Sequence, residues 1–410
     1  MKRDLRMCSS YSSEGFNAPA QASTAHAGRS STYLFILPWD LHIVGGVIGV
    51  VKNLASAMRA HGSLEPAIAV NSWEDSSPRR STDCIRFRFS IFGMMSVSGV
   101  SKSMALAPLR LWRTYRLLRE HNVQAVNFHF PGIAPFGVAV LKRLGLFKGK
   151  LILSYHGTDV AQPAACVESW ILAFVLRSAD HLVACSNALA ERMALQFGIP
   201  LSRFDVIANG VDASVFDGIG RSGTKLPRRL PPEFILSIGA FIPRKNHSLL
   251  VRAFASLKDR YPALDLCIAG AEGDERPAVE KQVRELGLSD RVHFFVDLDQ
   301  FQVALLLSKA TLCIQPSLAE SFPLAVLEAS ASGVPLVLSD IPGHQEMVRN
   351  QRTGILFPLG EPSVCADAIA TMLDDPRAAV RMAAEQRARV HKHLTWVSSA
   401  RQYEKLVWSM

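Results

Sequence analysis

Residues 310–340, ATLCIQPSLAESFPLAVLEASASGVPLVLSD, constrain the fold more than any other stretch of the chain. Two apolar runs rich in β-branched residues, Thr311–Gln315 and Pro335–Ser339, have the composition of strands buried on both faces, as in a parallel sheet. Between them the sequence predicts a helix over Phe322–Ser332, apolar on almost every side apart from Glu328; a helix of that kind is buried. A carboxylate in such a setting is costly unless a partner hydrogen-bonds it. Glu320 stands just ahead of the same helix. Pro323 falls in the predicted first turn, where its missing N–H costs nothing, and the other first-turn amides are free to meet an anion. One βαβ unit thus offers an anion-binding helix start with an acid at its mouth and a second acid about 9 Å further along, at 1.5 Å per residue. Phosphate at the helix start and hydroxylated groups on the carboxylates make a nucleotide sugar the ligand class that suits it.

The chain is 410 residues long, enough for two to three domains with real cores. Hydrophobic content of 49% and charged content of 20% are those of a globular protein, and no apolar run reaches the eighteen or so residues of a transmembrane helix. The basic start, Lys2, Arg3 and Arg6, is followed by no apolar core and does not read as a secretory signal. Residues 1–31, rich in Ser, Ala, Gly and Thr, are expected to be disordered. The seven cysteines are widely spaced with no C-x-x-C and read as reduced core residues of a cytoplasmic protein. A net charge of +9 permits phosphorylated substrates, an anionic membrane or nucleic acid as partners. The absence of zinc spacing, an RNP pattern or an aromatic-interleaved basic run excludes nucleic acid from the expectation.

Along the chain, Tyr33–Pro38 is the first predicted strand, followed by Gly45-Gly46 and a helix from Val47; a glycine pair there lets backbone approach a ligand closely. Leu106–Glu120 is a predicted helix with Arg110, Arg113, Arg116 and Arg119 at three-residue spacing. The simpler reading is a solvated helix face; the sharper one is peripheral contact with an anionic membrane. Strand-like runs then alternate with helical ones, which argues for a mostly parallel, doubly wound sheet. His156-Gly157-Thr158-Asp159 and Asn209-Gly210-Val211-Asp212 each follow a strand directly, at the carboxyl end where such sheets bind ligands. Residues 217–233 are aperiodic, rich in Gly, Pro and basic side chains, and read as a linker. Their G-x-G-x-x-G at Gly218, Gly220 and Gly223 neither follows a core strand nor opens a helix, so it is rejected as a dinucleotide fingerprint. After 233 the alternation restarts, ending in two helices from about Ser363. The expected organisation is a first α/β domain over 32–216, the linker, a second α/β domain over 234–394, and a C-terminal helix over 395–410 packing back on the first domain. Two such domains face each other across a cleft.

With its neighbours in order, this pattern resembles glycosyltransferase family 4, the retaining nucleotide-sugar enzymes of the GT-B fold, over roughly residues 33–358. The resemblance rests on ESFPLAVLE with ASASGVPLVLSD, joined by Gly45-Gly46, HGTD at 156–159, NGVD at 209–212 and GAFIPRKN at 239–246. It implies an α/β fold of two Rossmann-like, doubly wound domains facing a central cleft. It also implies roles: Glu320 on hydroxyls of the donor sugar, Glu328 on the ribose, and the amides of Phe322 and Leu324 on sugar or phosphate. Lys245 would neutralise the diphosphate, Gly45 and Gly46 would bring backbone to the distal phosphate, and His156 would lie by the reacting sugar. Asp159 and Asn209 would support those loops. The donor would be a UDP- or GDP-sugar and the acceptor a carbohydrate or lipid-linked hydroxyl, with no metal and no cofactor. One departure stands out: the family commonly has an arginine after the glycine of the second domain's first strand, and this chain has Ala240. Arg244 is the nearby substitute.

Asp297-Leu298-Asp299 spells D-x-D but is read as a loop or helix cap. His129 and His181 are read as core or loop histidines, and His344 and Glu346 as helix-start residues near the cleft. The expected activity is transfer of a sugar to an acceptor hydroxyl in polysaccharide, lipopolysaccharide or glycolipid synthesis, the leaving phosphate helping to deprotonate the acceptor. The alternatives are a GT-B nucleotide-sugar epimerase and a non-catalytic binding or scaffold protein.

Overall fold

Strand β1 (Thr32–Leu37, TYLFIL) is buried at every residue, as a central parallel strand must be. The computed structural model describes residues 31–39, 46–70, 85–86, 106–160, 166–217 and 224–409. Around β1 are β2 (Glu65–Val70), β3 (Ile85–Arg86), β4 (Val123–His129), β5 (Lys150–Tyr155), β6 (His181–Ala184) and β7 (Phe204–Val206). They form one parallel sheet in the order β3-β2-β1-β4-β5-β6-β7. A second parallel sheet has the order β10-β9-β8-β11-β12-β13. Its strands are β8 (Glu233–Ile238), β9 (Leu264–Gly270), β10 (Val292–Val296), β11 (Leu312–Gln315), β12 (Leu336–Ser339) and β13 (Ile355–Phe357).

In both sheets the strand order reverses beside the first strand, between β1 and β4 and between β8 and β11. Such switch points open a crevice at the carboxyl ends of the strands. Helix α1 (Gly46–His61) follows β1; α2 (Ala107–Glu120), α3 (Phe136–Arg143), α4 (Cys166–Ser178), α5 (Asn187–Phe197) and the short α6 (Ala213–Asp217) complete the first layer set. The second sheet carries α7 (His247–Leu257), α8 (Arg276–Glu285), α9 (Gln300–Lys309), α10 (Leu324–Ser332), α11 (Pro342–Gln345), α12 (Pro362–Asp374) and α13 (Pro376–His393). Apolar strands pack against apolar helix faces on both sides of each sheet: one face of each has a core of its own, and the other faces belong to a single cluster that runs from the first sheet into the second.

Helix α14 (Trp396–Trp408) leaves the second sheet and returns to the first. Its Trp396, Ala400, Tyr403 and Val407 share a core with β1 and α1. The Glu404 carboxylate accepts the Ser63 and Leu64 amides at 2.8 and 3.0 Å, so the loop after α1 is tied to the last helix. Val211 N–H donates to Leu394 O at 2.9 Å where the two lobes meet.

Several boundaries differ from the expectation. The helix predicted over Phe322–Ser332 is α10, which starts at Leu324; Pro323 is its N-cap with extended ψ of 120°, not a first-turn residue. Glu320 therefore lies in a loop, and Glu328 is about 6 Å along the helix from its start. Three helices, not two, follow β13, because Asp375-Pro376 ends one and caps the next through the Asp375 carboxylate on the Ala378 amide. The helix start read at His344 and Glu346 is the short α11, Pro342–Gln345, with Glu346 just past its end. Asp299 is an N-cap in a full capping box with Gln302, the structural role read from the sequence. On α2, Arg116 pairs with Glu120 and lies over Trp112, and Arg119 lies over Tyr115; the arginines edge a solvated face. Cys185, Cys267, Cys313 and Cys365 are free and buried. Gly45 and the glycines at 218, 220 and 223 lie outside the described residues.

Candidate active site between the two sheets

The loops leaving β8 and β11, on either side of the second switch point, meet at Glu320. Its side chain, 7% exposed, accepts Lys245 Nζ on Oε1 at 2.6 Å and Arg244 NH1 on Oε2 at 2.9 Å. Burial would raise this carboxyl, but Lys245 and Arg244 outweigh it and hold it below the ordinary carboxylate range. Both cations come from a one-turn 3-10 helix, Pro243–Lys245, closed by Asn246 in the left-handed region at φ 55°. Asn246 Nδ2 donates to Pro316 O and Leu318 N–H to Arg244 O, so the two loops are sewn together. Gly343 is pressed against Glu320: a Cβ there would stand 2.2 Å from Glu320 O. At Ala240 no cation is supplied, and Arg244 brings its guanidinium to the same carboxylate as Lys245.

Just beyond, two helix amino ends face each other. A Cβ on Gly46, the first residue of α1, would lie 3.9 Å from Leu324 Cδ1 at the start of α10. Each helix presents unsatisfied amides and about half a positive charge at this end, so α1, α10, Lys245 and Arg244 together favour an anion. Further into α10, Glu328 is half-buried, and no hydrogen bond to its carboxylate exists among the described residues. Burial pushes it up to about 7. A carboxylate kept there without a partner is one that a ligand's hydroxyl groups can satisfy.

His156 closes the site from the first sheet, at the carboxyl end of β5. Its Nε2 is 2.9 Å from Nδ1 of His129, the last residue of β4, with the rings stacked at 5.1 Å between centroids. Burial depresses His156 to about 4, and His129 is lowered by burial and by His156; both are neutral imidazoles near pH 7. Asp159 holds the loop, accepting the amides of His156 and Gly157 at 3.0 and 2.7 Å. Burial raises its carboxyl, with those amides and Arg192 pulling the other way. Gly157, at φ 120°, meets the opposite lobe: a Cβ would stand 2.0 Å from Ser321 Oγ. Asn209 Nδ2 donates to Phe322 O at 3.3 Å, fixing the loop that presents the Phe322 and Leu324 amides.

Residues singled out from the sequence thus converge: His156 and Asp159 from one side, Gly46 from α1, and Arg244, Lys245, Glu320, Phe322, Leu324 and Glu328 from the other. Three further contributors were named from the sequence but given structural roles, His344 and Glu346 already being placed near the cleft. His129 was assigned to the core, although its place at the end of the strand before His156 was the available signal. His344 is buried, donates Nδ1 to Ser339 O at 2.8 Å, and leaves Nε2 without a partner. Glu346 reaches across the lobes to the amino end of α5, taking the Asn187 and Ala188 amides at 2.9 and 2.7 Å. No group of three or more His, Cys, Asp or Glu among the described residues is placed to hold a metal.

The chain matches the family described as Glycosyl transferases group 1 over residues 222–389 and that described as Glycosyltransferase Family 4 over 44–215. It is 33% identical to a glycogen synthase of Mycobacterium tuberculosis, covering 90% of this chain and 92% of that protein. A D-inositol 3-phosphate glycosyltransferase of Nocardia farcinica is 32% identical over 49% of this chain and 46% of that one. Among solved structures, sucrose-phosphate synthase from Thermosynechococcus elongatus has a TM-score of 0.70 at 23% identity, covering 92% of this chain and 98% of that one. Anabaena HepE in complex with UDP and glucose has 0.70 at 18%, covering 93% and 100%. Those two likenesses establish the GT-B fold. Two Rossmann-like lobes and a sequence match spanning nearly the whole of both chains lead to one statement: the chain belongs to glycosyltransferase family 4 and is a GT-B glycosyltransferase.

Proposed function

We propose that this enzyme transfers a sugar, with retention of configuration, from a nucleoside diphosphate to a hydroxyl of a carbohydrate or lipid-linked acceptor, in polysaccharide, lipopolysaccharide or glycolipid synthesis. The observation that carries the reading is the convergence of two helix amino ends and two cations on one cleft, beside a half-buried, unpartnered carboxylate. The diphosphate would sit between the starts of α1 and α10, where Lys245 and Arg244 turn from Glu320 to the phosphates and counter the charge that develops on the leaving group. Glu320, released from one or both cations, accepts hydroxyls of the sugar, and Glu328 accepts those of the ribose. The acceptor hydroxyl attacks the anomeric carbon as the bond to the phosphate oxygen breaks. The nucleoside diphosphate departs, and its phosphate oxygen takes the acceptor proton on the same face. His156, neutral and positioned by His129 and Asp159, accepts or donates a hydrogen bond to the sugar rather than carrying charge. Closure of the lobes excludes water and limits hydrolysis. A glycogen synthase relative matched over 92% of its length and a neighbour holding UDP and glucose support a UDP-sugar donor and a carbohydrate acceptor.

The test is a donor screen with UDP- and GDP-sugars against glucan and lipid-linked acceptors, with products identified by mass spectrometry, on the native chain and Lys245→Ala. Transfer by the native chain and a loss of donor affinity of about tenfold or more in the variant are expected, from one charge-assisted contact. An isomerised sugar nucleotide without transfer would move the reading to an epimerase; no nucleotide binding by the native chain would move it to a scaffold.

A further inference from the structure

At the opposite end of the first sheet, the amino ends of β5, β6 and β7 border an open cavity of about 830 Å³. That is within the size of ordinary ligand sites. Its walls carry Lys142 and Arg143 from the last turn of α3, Arg177 from the last turn of α4, Lys150 and His181 from the first residues of β5 and β6, and Arg203 ahead of β7. Their acidic counterweight is small. Asp180 takes Lys142 Nζ at 2.8 Å and the Leu151 amide at 2.7 Å, and Asp205 takes His181 Nδ1 at 2.8 Å. Arg143, Lys150, Arg177 and Arg203 have no carboxylate partner among the described residues; Arg143, Lys150 and Arg203 donate only to hydroxyl or carbonyl oxygens.

Basic residues at helix carboxyl ends ordinarily offset the helix dipole. Two helix ends supply about half a negative charge each, about one in all, against four uncompensated cations. The surplus faces a cavity, where like charges held together raise the local potential and attract an anion. The strand β5 is six residues long, so this cavity lies about 20 Å from His156 at the other end of the strand and is separate from the donor cleft. We propose that it is a second binding site, for a ligand bearing two or more phosphate charges. It is bound by Arg143, Lys150, Arg177 and Arg203 and is independent of the sugar transfer proposed above. Free phosphorylated metabolites and lipid headgroups share this chemistry.

The site is tested by calorimetric titration of inorganic pyrophosphate into Lys245→Ala, whose donor-side phosphate clamp is weakened, and into the same protein carrying Arg177→Glu and Arg203→Glu. Flotation with vesicles of phosphatidylcholine and cardiolipin, whose headgroup carries two phosphates, runs in parallel. Pyrophosphate binding that weakens by about tenfold or more per arginine removed, and falls with added salt, supports the site and a free phosphorylated ligand. Vesicle binding lost in the arginine variants, with no pyrophosphate binding, supports the site and a lipid headgroup. Should the double substitution impair folding, Arg177→Ala, whose side chain has no hydrogen bond among the described residues, carries the test and is expected to melt as the parent does. Absence of both kinds of binding, or binding indifferent to Arg177 and Arg203, overturns the proposal.

Discussion

Replacing Glu328 with Gln is expected to stabilise the unliganded protein at neutral and alkaline pH while weakening donor binding. Glu328 is half-buried in α10, has no hydrogen bond to its carboxylate among the described residues, and is pushed by burial from 4.5 up to about 7. A carboxyl whose folded value is raised holds its proton in the native state while the unfolded chain has lost it. Stability is therefore greatest below pH 4.5, falls as pH rises towards 7, and is flat above. At about 1.4 kcal/mol per pH unit over that interval, the ionised group costs about 3 kcal/mol, and nearer 2 once its partial exposure to water is allowed for. Gln has the same shape and no charge to desolvate. Urea unfolding of native and Glu328→Gln protein at pH 4.5 and pH 8, without nucleotide, should give similar stabilities at the lower pH and a gain of about 2–3 kcal/mol for Gln at the higher. Donor affinity at pH 8 should move the other way, by about tenfold or more, because a charged acceptor for hydroxyl groups is lost. A stability difference that does not change between the two pH values would refute the burial argument. Unchanged donor affinity would refute the assignment to the ribose.

Three further outcomes follow from the same geometry. Gly157→Ala should lower turnover by about tenfold or more, since a φ of 120° strains the loop that carries His156 by at least about 1 kcal/mol and the new Cβ falls 2.0 Å from Ser321 Oγ, which must turn away; a steady-state assay that finds native turnover would show that the loop's conformation is not needed. Glu346→Gln should weaken the tie between Glu346 and the amino end of α5, raising the radius of gyration of the unliganded protein in small-angle scattering, whereas an unchanged curve would mean the contact does not hold the lobes. His156, depressed to about 4 by burial, contributes stability that is complete above its ordinary 6.5 and is lost as pH falls from there through 4; its NMR titration should show no midpoint between pH 6 and 7, and one found there would contradict its burial.

The parallel α/β layering was legible because buried parallel strands write themselves as continuous apolar runs, as in Leu312–Gln315 and Leu336–Ser339. The candidate site on α10 stood out for a related reason: Glu328 is an acid where an apolar helix should have none. What stayed hidden depended on partners far apart in the chain. His129 looks like a core residue until β4 and β5 pair and bring it against His156, 27 positions later. Glu346 and the start of α5 are 159 residues apart, and no local pattern encodes their contact. The pairing of Lys245 and Arg244 with Glu320 is likewise a product of two loops meeting at a switch point, which spacing alone does not reveal. The start of α10 was misplaced because Pro323 is acceptable both in a first turn and as the residue before one.

The return of α14 to the first sheet has a consequence for the order in which the protein can be made. The strip of Trp396, Ala400, Tyr403 and Val407 that covers β1 and α1 is synthesised some 340 residues after the surface it covers. Until it leaves the ribosome, the first lobe presents an uncovered apolar face and the Ser63 and Leu64 amides await Glu404. The lobe made first is thus finished last, and a chain released before residue 396 would carry that face into solution. Nascent-chain folding of the first lobe should become complete only once residues 396–408 have left the ribosome, and a chaperone that shields apolar surfaces would act on the lobe before then.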